Sequence, residues 1–207
     1  MGRRYELKRR AEHQQRTRER IVEAAIELHQ TLGPTATTVS DIARRAGVGR
    51  VTVYRHFPDE IALGRACSGR YNQQNPPPDP QTWKAIADPS ERLRTALLQT
   101  YGYHRATEAM TTRVLADGRD HELMAPYHAH WQFAADVLLR PWRGRGQRRK
   151  QLRAAIALAL SFDTWRTLAG DHGLTDEQAI DVAMRLVRDP QPIDDRSRAP
   201  LSTDSAP

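Results

Sequence analysis

Apolar residues recur three and four apart along most of the chain, and no stretch of useful length alternates as a strand would. Ile21, Ala24, Ala25, Leu28 and Leu32 form one helical stripe that Gly33-Pro34 ends. A second begins at Thr38. There Thr38 and Asp41 fit a capping box, and Val39, Ile42, Ala43 and Ala46 share one face. Gly47-Val48-Gly49 stops that helix with a tight turn, after which Val53 and Phe57, four apart, can join Val48 in a core. Pro58-Asp59 gives a turn with Asp59 as N-cap, and Ile61, Ala62, Ala66 and Tyr71 continue a fourth helix. The proline-rich run from Asn75 to Pro80 cannot stay helical and is the clearest breakpoint.

Past the break, Asp88-Pro89 opens a long helix with Leu93, Leu97 and Tyr101 on one face, predicted to reach about Met110. Residues 111–125 predict short or broken helices. Pro126 starts a helix that runs through Leu139 and is closed by Pro141, and Arg143 to Lys150 reads as a solvated basic loop. Residues 151–169 predict a helix. Ala154 to Leu160 is uncharged and apolar throughout, so it must be covered on more than one side, by its own core and by a partner chain. Thr175 and Gln178 form a capping box, with Leu174 and Ala179 as staple, before a last stripe of Ile180, Ala183, Met184 and Val187. Asp189 to Pro207 is proline-containing and aperiodic, and reads as a disordered tail. The expected fold class is all-α.

Composition narrows the function. No window approaches an apolar membrane span and no apolar region follows the N-terminal charges, so a soluble, cytoplasmic protein is expected. The single Cys67 excludes an intramolecular disulfide and reads as a small buried side chain. The net charge of +7 is concentrated: residues 1–70 hold 14 Lys and Arg against 8 Asp and Glu, leaving +1 for the rest. That is the footprint of a polyanion partner. Met1 to Gln15, with Arg3, Arg4, Lys8, Arg9 and Arg10, reads as a basic flexible arm able to lie along DNA.

The two short helices around Gly47 make a helix-turn-helix, whose second helix is narrow enough to enter a major groove. Its exposed flank is rich in donors and positive charge. Arg50 can fork onto guanine O6 and N7, Thr52 can touch a base or phosphate, and Tyr54 and His56 can donate to phosphate oxygens. Thr38, Ile42, Ala43, Ala46, Gly47, Val48, Thr52, Val53, Tyr54, His56 and Phe57 stand as they do in the signature of the tetracycline-repressor (TetR) family, which this stretch resembles. The resemblance implies base contacts from Arg50, Val51 and Thr52, and phosphate contacts from Thr38, Tyr54 and His56. Two positions depart from it. Gly49 stands for a capping Ser, and Glu60 for a phosphate-binding Lys, so that contact is expected to be missing.

The resemblance divides the chain into the arm (1–15), a DNA-binding domain with its connecting helix (16–75), an effector-binding and dimerisation domain (76–188) and the tail (189–207). It also implies that the last two helices dimerise as a four-helix bundle. The second domain holds more aromatics than packing needs, and Tyr101, His104, Tyr127, Trp131 and Trp165 are candidates to line a small-molecule site. His104, His121, His128 and His130 raise a metal site, but His128 and His130, two apart, fall on nearly opposite sides of a helix, and no metal or cofactor is expected. No nucleophile–base pair or phosphate loop is visible, so no enzyme is expected. The expected protein is a homodimeric, ligand-modulated, sequence-specific binder of double-stranded DNA, most simply a repressor. The alternative is a nonspecific nucleic-acid-compacting protein.

Overall fold

The computed structural model describes residues 2–119 and 121–188; the expected tail, 189–207, lies outside the described residues. Helices are the only regular elements among them. Four form the head: α1 (Gly2–Thr31), α2 (Val39–Ala46), α3 (Arg50–His56) and α4 (Glu60–Gln74). The body holds the single turn α5 (Pro80–Trp83), the long α6 (Pro89–Gly118), a 3-10 turn at Glu122–Met124 and α7 (Ala125–Leu139). It is completed by α8 (Gly146–Leu160), the short α9 (Phe162–Trp165), a π-helical turn at Arg166–Asp171 and α10 (Asp176–Arg188).

Local chemistry fixes the boundaries. Both bonds of the Thr38–Asp41 capping box form, and Gly47 closes α2 at φ 66°, in the left-handed region that favours glycine. The Asp59 carboxylate accepts from Ala62 N at 2.7 Å to start α4, and that of Asp88 from Glu91 N at 2.7 Å to start α6, behind Pro89. At α10, Thr175 Oγ1 accepts from Gln178 N at 3.3 Å while Thr175 N donates back to Gln178 Oε1 at 3.0 Å.

Several elements differ from expectation. Residues 2–15 continue α1 as helix rather than forming a separate arm. The buried face of α4 is Leu63, Cys67 and Tyr71, with Ile61 and Ala66 at its margin. Helix α6 passes Met110 to Gly118 because Met110, Thr111 and Leu115 are all buried on its inner face, and that burial outweighs the mixed local sequence. The basic stretch is mostly helix as well, since α8 starts at Gly146 and leaves a loop only up to Arg145. The predicted 151–169 helix breaks at Ser161, whose hydroxyl caps α9 by accepting from Thr164 N at 3.2 Å.

Two cores result. The head core joins Ile21, Ala25, Ile42, Val53, Phe57 and Cys67, and Met110 of α6 reaches into it. The body core is built on Leu93, Leu97, Tyr101, Leu138, Ile156, Leu160, Trp165 and Ile180. The end of α6 ties the two together. Thr35 N donates to Asp117 Oδ2 at 2.8 Å, and Gly33, at φ 93°, leaves room for that carboxylate, which a Cβ would meet at 2.7 Å.

Candidate nucleic-acid interface

Helix α3 buries one face and presents the other. Val53 and the following Phe57 sit in the head core, while Val51 is 80% exposed and Tyr54 45% exposed. Arg50 and Arg55 are exposed, and Thr52 and His56 are half-buried at the flank. Val51 is the most exposed of the large apolar side chains among the described residues, and an apolar side chain is the type that meets a thymine methyl. Gly49 supplies no side-chain cap to α3. Glu60 lies in the first turn of α4. Thr38 sits at the start of α2 with its hydroxyl engaged, donating to Asp41 Oδ2 at 2.5 Å and accepting from Asp41 N at 3.2 Å. Those bonds hold the Asp41 carboxyl below the usual carboxylate range.

The surroundings are cationic. Arg18 of α1 lies over the Phe57 ring at 4.9 Å, beside the end of α3. Partial burial, then the charges of Arg55 and Arg18, push the His56 pKa below its ordinary value. Near neutral pH it is therefore a neutral ring with one N–H to donate. Arg44 pairs with Asp41 and Arg45 with Glu27, which holds α2 to α1.

In the body the five aromatic candidates come together around His104. Its ring centroid lies 6.4 Å from Tyr101, 5.2 Å from Trp131 and 6.0 Å from Trp165, and Tyr127 joins through Trp131 at 6.1 Å. Tyr101 Oη donates to Ala159 O at 3.1 Å, and His104 Nε2 faces Leu160 O at 3.0 Å, so both pin α6 to the end of α8. Burial pushes the Tyr101 phenol well above its ordinary value, and those of Tyr127 and Tyr103 to about 12, while it lowers His104 to about 4. Trp165 donates its indole N–H to Asp176 at 3.1 Å, and Arg105 pairs with the same carboxylate.

Residues 21–65 match the profile of the tetR family of bacterial regulatory proteins. That window holds the helix-turn-helix and parts of the helices on either side of it, which resemble the DNA-binding segment of that family. An uncharacterised helix-turn-helix-type transcriptional regulator of Pseudomonas putida, TtgW, is 42% identical over 50 residues, which span 24% of this chain and 37% of that protein. A TetR-like regulator from Rhodococcus sp. RHA1 superposes with a TM-score of 0.55 at 18% identity, covering 83% of this chain and 93% of that one. The multidrug binding protein EbrR, complexed with imidazole, gives 0.51 at 22% identity, covering 84% and 90%. At such identities the likeness is one of fold.

Two features escaped the sequence reading. Arg18 lies beside α3, over Phe57, and a basic residue on the helix packed behind the hairpin was signal enough to include it. The second is that the candidate His104 belongs to a buried polar stripe on α6, in which Thr100, His104, Thr107 and Thr111 are exposed by 0%, 0%, 1% and 8%. Its spacing of four, three and four was visible as helix periodicity, but with polar residues it does not register as a core. The other histidines have separate surroundings. His121 caps the 3-10 turn, accepting from Leu123 N at 3.2 Å, His128 Nε2 faces Arg119 O at 2.8 Å, and His130 is half-buried. Among the described residues no group of three or more His, Cys, Asp or Glu side chains could hold a metal ion, and no helix is long and apolar enough to cross a membrane.

Proposed function

We propose that the protein is a homodimeric transcriptional repressor that reads an inverted-repeat operator and responds to a small-molecule effector held in the body. The observation that carries the reading is the outward face of α3, where Arg50 and Val51 stand free of the core, with Thr52 half-buried beside them, at the end of the helix that enters a major groove first. Arg50 forks onto a guanine, Val51 and Thr52 meet neighbouring base edges, and Tyr54 and His56 donate to phosphates on either side. Thr38, its hydroxyl engaged in the cap, positions α2 more than it contacts DNA.

Dimerisation is supported by apolar side chains outside the body. Leu158 of α8 is 51% exposed, and Val182 and Leu186 of α10, four apart, are 43% and 42% exposed. With Ala154 and Ala157, also exposed, they leave apolar side chains on the outside of two neighbouring helices, which a second copy can cover. Effector binding is supported by the aromatic cluster around His104, and EbrR, of similar fold, is named a multidrug binding protein.

The test is the mass of the protein, free and on duplex DNA, by analytical ultracentrifugation. Wild type should sediment as a dimer in both states. Leu158→Arg, at an exposed position, should sediment as a folded monomer with DNA affinity lower by roughly 100-fold, the avidity that two joined heads supply. A wild-type protein that is monomeric free and on DNA would refute the dimeric reading.

A further inference from the structure

The buried face of α6 is apolar at both ends and polar in the middle. Leu93 and Leu97 lead into Thr100 and His104, and Leu115 follows Thr107 and Thr111. The lower two polar groups are satisfied: Thr107 Oγ1 donates to Tyr103 O at 2.8 Å, and Thr111 Oγ1 to Thr107 Oγ1 at 3.3 Å. The upper two are not. Among the described residues neither Thr100 Oγ1 nor His104 Nδ1 has a hydrogen-bond partner, nor does the indole N–H of Trp131, although it lies beside the Tyr127 hydroxyl. Buried polar groups are nearly always paired, so a cluster of three orphans marks a place where something polar belongs.

The tautomer of His104 determines what kind of group fits. Leu160 O, 3.0 Å from Nε2, can only accept, so Nε2 carries the ring proton and Nδ1 offers a lone pair. An orphan acceptor and an orphan donor therefore lie on neighbouring rings, whose centroids are 5.2 Å apart. The neighbouring rings are aromatic, with Phe162 at 5.5 Å and Trp165 at 6.0 Å from His104. Both nearby carboxylates are committed, Asp176 to Arg105 and Asp163 to Arg119, so neither is left to accompany a buried cation. A lone pair on Nδ1 likewise repels an anion. Tyr103, Tyr127 and Trp131 are only half-buried, so the cluster reaches the surface on their side.

We propose that this cluster selects an uncharged aromatic hydroxyl compound, whose O–H donates to His104 Nδ1 and whose oxygen accepts from the Trp131 indole N–H, with Thr100 Oγ1 beside them. The inference rests on the ligand-responsive reading of the body and adds the chemical class of the effector.

Calorimetric titration of the full-length protein at neutral pH tests it with four probes of one size: 2-naphthol, 2-methylnaphthalene, 2-naphthoate and 2-naphthylmethylammonium. The expected result is that 2-naphthol binds at least about tenfold more tightly than the other three, as a matched hydrogen-bonding site discriminates. Trp131→Phe and Thr100→Val, with unchanged melting temperatures, should each bring 2-naphthol down to the level of 2-methylnaphthalene. Equal binding of those two probes to wild type, or tighter binding of either ion, would overturn the proposed class and leave a ligand site standing. No binding by any probe, or binding that neither variant alters, would overturn the class and the placement of the effector site together.

Discussion

Head and body are made of the same material, short capped helices around an aliphatic core, yet they leave their unpaired hydrogen-bonding groups on opposite sides. In the head, Ile42, Val53 and Phe57 fill the interior while Arg50, Tyr54 and Arg55 stand outside. In the body, Thr100, His104 and Trp131 keep unpaired groups buried, and it is Leu158, Val182 and Leu186 that stand outside. On the proposed reading, the contrast follows the size of what each region engages. A duplex is too large to enclose and must be met by a surface, whereas a small molecule can be surrounded, and an apolar outer face suits a second copy of the same chain.

The largest expected effect probes whether the body cluster is a packed core as well as the proposed site. Trp165 is 2% exposed, and Trp165→Ala should lower stability in urea by ~3–5 kcal/mol. A loss below about 1 kcal/mol would mean the cluster is loose and the contrast with the head overdrawn. Next is pH. His104 has a folded-state pKa of about 4 against an ordinary 6.5, so its contribution is fully present above pH 6.5 and is lost as pH falls from 6.5 towards 4. Wild type should lose as much as ~3 kcal/mol more than His104→Phe over that window, measured by urea denaturation at each pH. On the outer side, Arg50→Ala should cost ~1–3 kcal/mol on the preferred duplex and markedly less on random duplex, by fluorescence anisotropy. Equal losses on both would remove its base-reading role. The smallest effect is at the hairpin's own cap: Thr38→Ala should destabilise by ~1 kcal/mol in thermal melts, and Thr38→Ser should restore most of it.

The head was legible because its determinants are local. The Thr38–Asp41 box, the Gly47 turn and the Val53–Phe57 pair act over a few residues, and each stands where the pattern placed it. The resemblance covered that same window. Elsewhere distant contacts decided the outcome. Burial of Met110, Thr111 and Leu115 carried α6 past the point where its local pattern fades, and Ser161 broke a helix that looks continuous because its hydroxyl caps the next. The five aromatic candidates were named for their composition, and only folding shows that His104 lies among them. The polar stripe stayed hidden because a buried threonine and a solvated one look alike in sequence.

The most direct measurement of the central claim is selection of random-sequence duplex DNA by the purified protein at near-physiological salt, with the mass of the enriched complex recorded. Enrichment of an inverted repeat, bound by an even number of chains, is the predicted result. Binding that enriches no motif and merely fades as salt rises would contradict it and point to a nonspecific nucleic-acid binder.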